Sequence, residues 1–87
     1  MVRNLRTPGH LALMQVLIET RKTKNITQQE LADRINRPQS FVAKVETGER
    51  RLDVVELAEW VIAVEIDYRV IMESVLDAVR NTTASTE

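Results

Sequence analysis

The chain contains no cysteine, a single histidine, two glycines and two prolines, and only 3% of its residues are aromatic. Without thiols, neither a disulfide framework nor a thiolate zinc site is available, so packing must hold the fold, alone or with a partner subunit. His10 has no second histidine, and no carboxylate pair is joined by a nucleophile or metal ligand, which leaves an enzyme as the weakest functional class. No apolar run approaches the roughly 18 residues that cross a bilayer, and the N-terminus lacks the basic, apolar and cleavage regions of an export signal. The expectation is a cytoplasmic protein with no cofactor, no metal and no membrane partner.

What is present is a chain of 87 residues, 44% of them hydrophobic, enough for one small core and not two. The net charge of −1 conceals a division: residues 1 to 51 hold ten Lys or Arg against five Asp or Glu, a balance of +5, while residues 52 to 87 hold two against eight, a balance of −6. Only charges within about a Debye length of a phosphate count, so a basic half suits nucleic acid despite the acidic total. The same asymmetry also serves solubility, and charge alone does not choose a function.

Placing residues 100° apart brings the apolar positions of five segments onto common faces. Thr7-Pro8 opens the first helix, with a capping residue before proline at the first helical position, and the pattern runs to about Lys24 with Leu11, Met14, Leu17 and Ile18 on one side. Asn25 stands where a left-handed residue would end it. Thr27 and Glu30 form a capping box for a second helix with Leu31, Ala32 and Ile35 as its stripe. Pro38 disfavours helix at Arg37, so that helix stops by about Asn36. A third helix runs from Gln39 to about Thr47 and ends at Gly48. Asp53 and Glu56 make a second capping box, and Val54, Leu57, Ala58, Val61, Ile62 and Val64 are expected to face inward with Glu56, Glu59 and Ala63 outward. Asp67 caps a fifth helix to about Arg80. The expected organisation is an all-α domain over residues 1–80 and a disordered tail, "NTTASTE", over 81–87.

The second and third helices are too short to stand alone in water and must be packed on the others. A tight turn between two such helices is the helix-turn-helix arrangement, whose second helix can enter a major groove. In "RPQSFVAKVETG", Val42 and Val45 fall on one side with Phe41 at its edge, while Gln39, Ser40, Ala43 and Lys44 occupy the opposite arc.

The stretch "TQQELADRINRPQSFVAKVETGERRLD" resembles the helix-turn-helix of the Cro and phage-repressor family, in which a pattern near T-Q-x-E-L-A-x-x-x-G-x-x-Q-S-x-V-S-K-x-E-x-G recurs. More loosely, the resemblance covers residues 10 to 78. It implies a compact five-helix, lambda-repressor-like domain that regulates transcription, commonly as a homodimer on short inverted repeats of double-stranded DNA. Asn25 and Asn36 stand where the family usually has glycine, Pro38 replaces the usual Ser or Thr cap, and Glu65 replaces another common glycine.

Position by position, the resemblance implies that Gln39, Ser40 and Lys44 meet base edges. The chemistry agrees, since a glutamine amide pairs with adenine and a lysine reaches guanine acceptors. Phe41 is assigned with them, to sugars and thymine methyl groups, with packing at the core margin as its alternative. Gln28, Thr47, Arg50 and Arg51 are expected at phosphates, with Arg37 beside them; such contacts set register and read no sequence. For each of these residues the plain alternative is a solvated surface. Arg21 projects between Leu17 and Met14 on an apolar face and needs a partner. Glu46, at the core margin of the third helix, is the one the resemblance implies.

In the fifth helix Tyr68, Ile71, Met72, Val75, Leu76, Ala78 and Val79 spread over an arc of about 160°, wider than the roughly 100° that a one-sided helix uses. A homodimer interface is expected there, helped by Trp60 or Val70, against the alternative of a core that wraps the helix. The competing function is a helical protein-interaction adaptor, such as an antitoxin-like module that binds a toxin or another regulatory protein. An adaptor would expose apolar anchors where this chain places Gln39, Ser40 and Lys44.

Overall fold

Residues 7–85 are described in a computed structural model of the chain. Thr7 caps α1 (Pro8–Thr23), accepting from the His10 backbone N–H, with the His10 ring nitrogen 2.9 Å from the same hydroxyl. The capping box at Thr27 opens α2 (Gln28–Arg34), with the Thr27 hydroxyl accepting from Glu30 N–H and the Glu30 carboxylate from Thr27 N–H. That bond to the Thr27 backbone is the main reason the Glu30 carboxyl titrates below its ordinary range. Helix α3 (Gln39–Thr47) starts at Pro38 without a side-chain cap bond, α4 (Val54–Val64) carries the Asp53–Glu56 box, and α5 (Tyr68–Ser85) follows Asp67. There are no strands among the described residues.

Four helix ends close on a left-handed residue, and only one is glycine: Asn25 at φ 60°, Asn36 at 61°, Gly48 at 84° and Glu65 at 62°. After α1, Asn25 N–H reaches Lys22 C=O and Ile26 N–H reaches Arg21 C=O; after α2, Asn36 and Arg37 N–H reach Asp33 and Ala32 C=O in the same manner. These paired bonds satisfy carbonyls that the helix itself leaves open. The end of α4 has added support, since Lys24 Nζ donates to Glu65 C=O at 2.9 Å and Arg34 Nη1 to Ala63 C=O at 2.7 Å. Cations at a helix C-terminus also suit its dipole.

The core is assembled around Leu17, Leu31, Val42, Trp60, Val64 and Ile71, all fully buried. Helix α5 lies along α1, where the second glycine matters: a Cβ at Gly9 would stand 2.9 Å from Val79 Cγ2. Several expected faces are rotated. On α1, Met14 and Leu17 are buried as expected, but Leu11 is exposed and Leu13 and Val16 turn inward in its place. On α4, Val54 and Ile62 are 83% and 74% exposed and Ala58 is exposed, whereas Trp60 is buried and Ala63 packs against the core. Apart from the side that carries Glu56 and Glu59 the helix is apolar over a wide arc, so periodicity alone does not choose which part of that arc faces in. Helix α5 continues to Ser85, five residues past the expected end at Arg80, so most of the expected disordered tail is helical. Residues 86 and 87 of that tail, like residues 1–6, lie outside the described residues.

Candidate nucleic-acid interface

The angle between α2 and α3 is set by a turn over residues 35–38. Arg37 N–H bonds back to Ala32 C=O at 2.9 Å, and Phe41 N–H bonds to Pro38 C=O at 2.9 Å, so the chain leaves one helix and enters the next with its polar backbone satisfied. Val42 and Val45 are buried, which directs Gln39, Ser40 and Lys44 to solvent along one edge.

Behind that edge stands a connected polar chain. Arg21 donates through Nε and Nη2 to the two oxygens of Glu46 at 2.7 and 2.9 Å, and through Nη1 to Ile26 C=O at 2.8 Å. Both charged side chains are buried, at 8% and 4% exposure. Gln28 Nε2 donates to Glu46 Oε1 at 2.9 Å, and Gln39 Nε2 donates to Gln28 Oε1 at 2.6 Å. The sense of both amides follows from chemistry, because an ionised carboxylate can only accept: Gln28 must turn its NH2 toward Glu46, and its oxygen then requires the NH2 of Gln39. Gln39 is left with its carbonyl oxygen and one N–H outward. That is the acceptor-and-donor pair that adenine complements in the major groove.

The sequence-predicted phosphate residues divide. Arg51 and Thr47 are exposed, although the Thr47 hydroxyl also donates to Lys44 C=O and Glu49. Gln28 is half-buried at the start of α2, with one amide hydrogen used by Glu46. Arg50 donates to both oxygens of Glu56 at 3.1 and 3.0 Å, and Arg37 lies 3.4 Å from Glu56 and 3.9 Å from Glu59. The Arg50 bonds, followed by the Asp53 backbone, hold the Glu56 carboxyl below its ordinary range.

Phe41 departs from expectation. It is 7% exposed and belongs to the core, with the Arg37 and Arg50 guanidinium carbons each 4.6 Å from its ring centroid. Its place beside Val42 and Val45, with two arginines stacked on the ring, takes it out of the base-reading set and makes it a platform for those cations. Glu56 and Glu59 were not singled out as partners of this edge by sequence. The six-residue step from Arg50 to Glu56 crosses a loop, where helical spacing has no meaning, and Glu56 had already been explained as a cap.

The expected dimer face is also redistributed. Ile71 is 1% exposed and Trp60 is fully buried, so neither can meet a partner; both fill the core. Val75 is half-buried against it. Tyr68, Val70, Met72, Leu76 and Val79 are exposed, and Tyr68 and Met72 join Val54, Leu57, Ala58, Val61 and Ile62 along an apolar groove between α4 and α5. At the head of α5, Asp67 accepts from the Arg69 backbone N–H at 2.9 Å and from its guanidinium at 2.7 Å. The Arg69 side chain first, then its N–H, holds the Asp67 carboxyl down at about 2.

A family model described as helix-turn-helix matches residues 17–68. An XRE-family like protein from Pseudomonas syringae pv. tomato str. DC3000 is 42% identical over 77% of this chain and 82% of its own, with a TM-score of 0.71. A mutant of the restriction-modification controller protein C.Esp1396I shares the fold at 24% identity, covering 78% of this chain and 91% of its own with a TM-score of 0.68. No curated protein matches the chain.

Proposed function

The chain belongs to the XRE-type helix-turn-helix family of DNA-binding transcription regulators, and from that premise we propose that it is a repressor that reads an inverted repeat as a homodimer. The observation that carries this reading is the outward edge of α3. Gln39, Ser40 and Lys44 are exposed on a helix whose other face is buried, and Gln39 is oriented through Gln28 and Glu46 from a buried ion pair. In this reading Gln39 pairs with adenine, Lys44 reaches guanine O6 or N7, and Ser40 serves either base. Gln28, Thr47 and Arg51 position the duplex through its phosphates, Gln28 from the positive end of α2.

The apolar groove between α4 and α5 supports the dimer. Val54, Ile62 and Tyr68 are 83%, 74% and 62% exposed on neighbouring elements, a contiguous apolar surface that a monomer gains nothing by showing to water. A two-fold axis through such a face sets two recognition helices about 34 Å apart, one turn of duplex. The groove also favours one alternative, an adaptor that holds a toxin or other regulatory protein there.

Selection of bound duplexes from a random pool, followed by titration of the winner across salt, tests the reading. A palindromic consensus and a steep fall of log K with log salt are expected. Failure to enrich any sequence would overturn it. Sedimentation at micromolar concentration separates the two occupants of the groove, with a dimer expected and a clean monomer favouring the adaptor.

A further inference from the structure

Two of the arginines at the rim of α3 already hold a carboxylate of this chain. Arg50 grips Glu56 with both terminal nitrogens, at 3.1 and 3.0 Å, and Arg37 Nη1 stands 3.4 Å from Glu56 Oε2. Each guanidinium also lies 4.6 Å from the Phe41 centroid, which fixes the pair beside the first turn of α3, where Gln39 and Ser40 face out. A carboxylate offers a guanidinium fork the same two-oxygen edge as a phosphate diester. Glu56 is well anchored in that seat: its side chain is 12% exposed, and Oε1 accepts from Asp53 N–H at 3.0 Å in the α4 capping box.

We propose that Glu56 is an internal phosphate mimic that neutralises Arg37 and Arg50 at the rim of the reading helix and so sets how tightly the chain holds any duplex. It lowers the sequence-independent attraction for DNA and leaves the base-reading edge unchanged. The inference rests on the DNA-binding reading above and deepens it. Phosphate contacts read no sequence and are made on operator and random DNA alike, so a fixed anion that occupies two cations lowers both affinities together and leaves their ratio to the base contacts. Glu59, with its oxygen 3.9 Å from Arg37 Nη2, adds a weaker contribution of the same sign. Arg51, which is exposed, remains available to phosphate.

The substitution E56Q isolates the effect. Glutamine serves a capping box as well as glutamate does, so its amide oxygen keeps the bonds from Asp53 N–H and Arg50 Nη1, while its NH2 replaces the oxygen that faces Arg50 Nη2 and Arg37 Nη1 and the negative charge that holds both arginines is lost. The full chain is titrated with a random-sequence duplex and with the selected operator over a series of salt concentrations. For E56Q, tighter binding to random DNA and to the operator is expected, with a log–log salt slope steeper by about 0.9 for each phosphate gained and the operator-to-random ratio unchanged. E73Q, which removes one negative charge from α5, keeps the wild-type slope. E56Q/R50Q reverses the steepening by about 0.9. An E56Q slope equal to wild type, or equal steepening by E73Q, overturns the inference while operator binding by the wild-type chain keeps the DNA reading standing. Absence of any DNA binding by the wild-type chain overturns both.

Discussion

Helices α3 and α4 are neighbours that meet the rest of the molecule in opposite ways. α3 buries Phe41, Val42, Val45 and Glu46 and gives water its polar residues; α4 buries Trp60 and Val64 but leaves Val54, Val55 and Ile62 at 83%, 67% and 74% exposure. α3 is held in one orientation by directional contacts, the Arg21–Glu46 pair on one side and the Arg37–Phe41–Arg50 stack on the other. Burial of apolar area has no such direction. The difference teaches that α3 is oriented by charge and hydrogen bonding as well as by burial, while α4 and α5 supply core on one side and an open apolar surface on the other.

The strongest way to break that comparison is to remove α3's anchor. Glu46→Ala leaves the Arg21 guanidinium buried with only Ile26 C=O to receive it, and loss of one partner of a buried pair costs about 3 to 5 kcal/mol. Thermal or urea denaturation measures it, and an unchanged midpoint would show that the pair contributes nothing. The next test separates a buried from an exposed residue of α5, both of which line the groove. Ile71→Ala is expected to cost about 2 to 5 kcal/mol as a core cavity, whereas Met72→Ala, one position on and 39% exposed, should barely move the midpoint of the monomer and should weaken self-association instead. Equal losses for the two would mean that the groove is not a separate surface.

Much of this was legible before any coordinates. Thr7-Pro8, the Thr27–Glu30 and Asp53–Glu56 boxes, Pro38 and Gly48 each carry local chemistry that fixes a helix end, and the elements start and stop beside them. The α3 edge was legible as well, because polar and apolar residues separate cleanly around it. The inward side of α4 was not. In "VVELAEWVIAV" apolar residues cover most of the circumference, and it is Trp60, the largest of them, that is fully buried, its indole N–H without a partner, while Val54 and Ile62 stay exposed. Nor could spacing reveal that Arg37 and Arg50 converge on Glu56 and Phe41, since those contacts span loops.

The reading edge itself offers a smaller effect. Lys44→Ala should remove about 1 to 3 kcal/mol of discrimination at one base pair of the selected operator, with stability unchanged because the side chain is exposed. Arg50→Ala, whose side chain is committed to Glu56 and Phe41, should alter base preference less. A uniform loss across all bases on Lys44→Ala would place that lysine on a phosphate instead.

The smallest effect bears on how α4 hands over to α5. Glu65 holds φ 62° and ψ 51°, a conformation that costs a residue with a Cβ about 1 to 2 kcal/mol, less in asparagine, whose short polar side chain compensates locally. The contacts that close this junction use backbone atoms, Glu65 N–H to Val61 C=O at 2.9 Å and Lys24 Nζ to Glu65 C=O at 2.9 Å, and they survive loss of the side chain. Glycine removes the strain but gains freedom in the unfolded chain, which returns up to about 1 kcal/mol. Glu65→Gly should therefore raise stability by about 0.5 kcal/mol, while Asn36→Gly, at φ 61° and likewise closed by backbone bonds, should change it by no more than a few tenths. Urea midpoints of the two variants measured together decide the matter. A loss on Glu65→Gly with none on Asn36→Gly would mean that the Glu65 side chain, and not the backbone bonds around it, holds the end of α4.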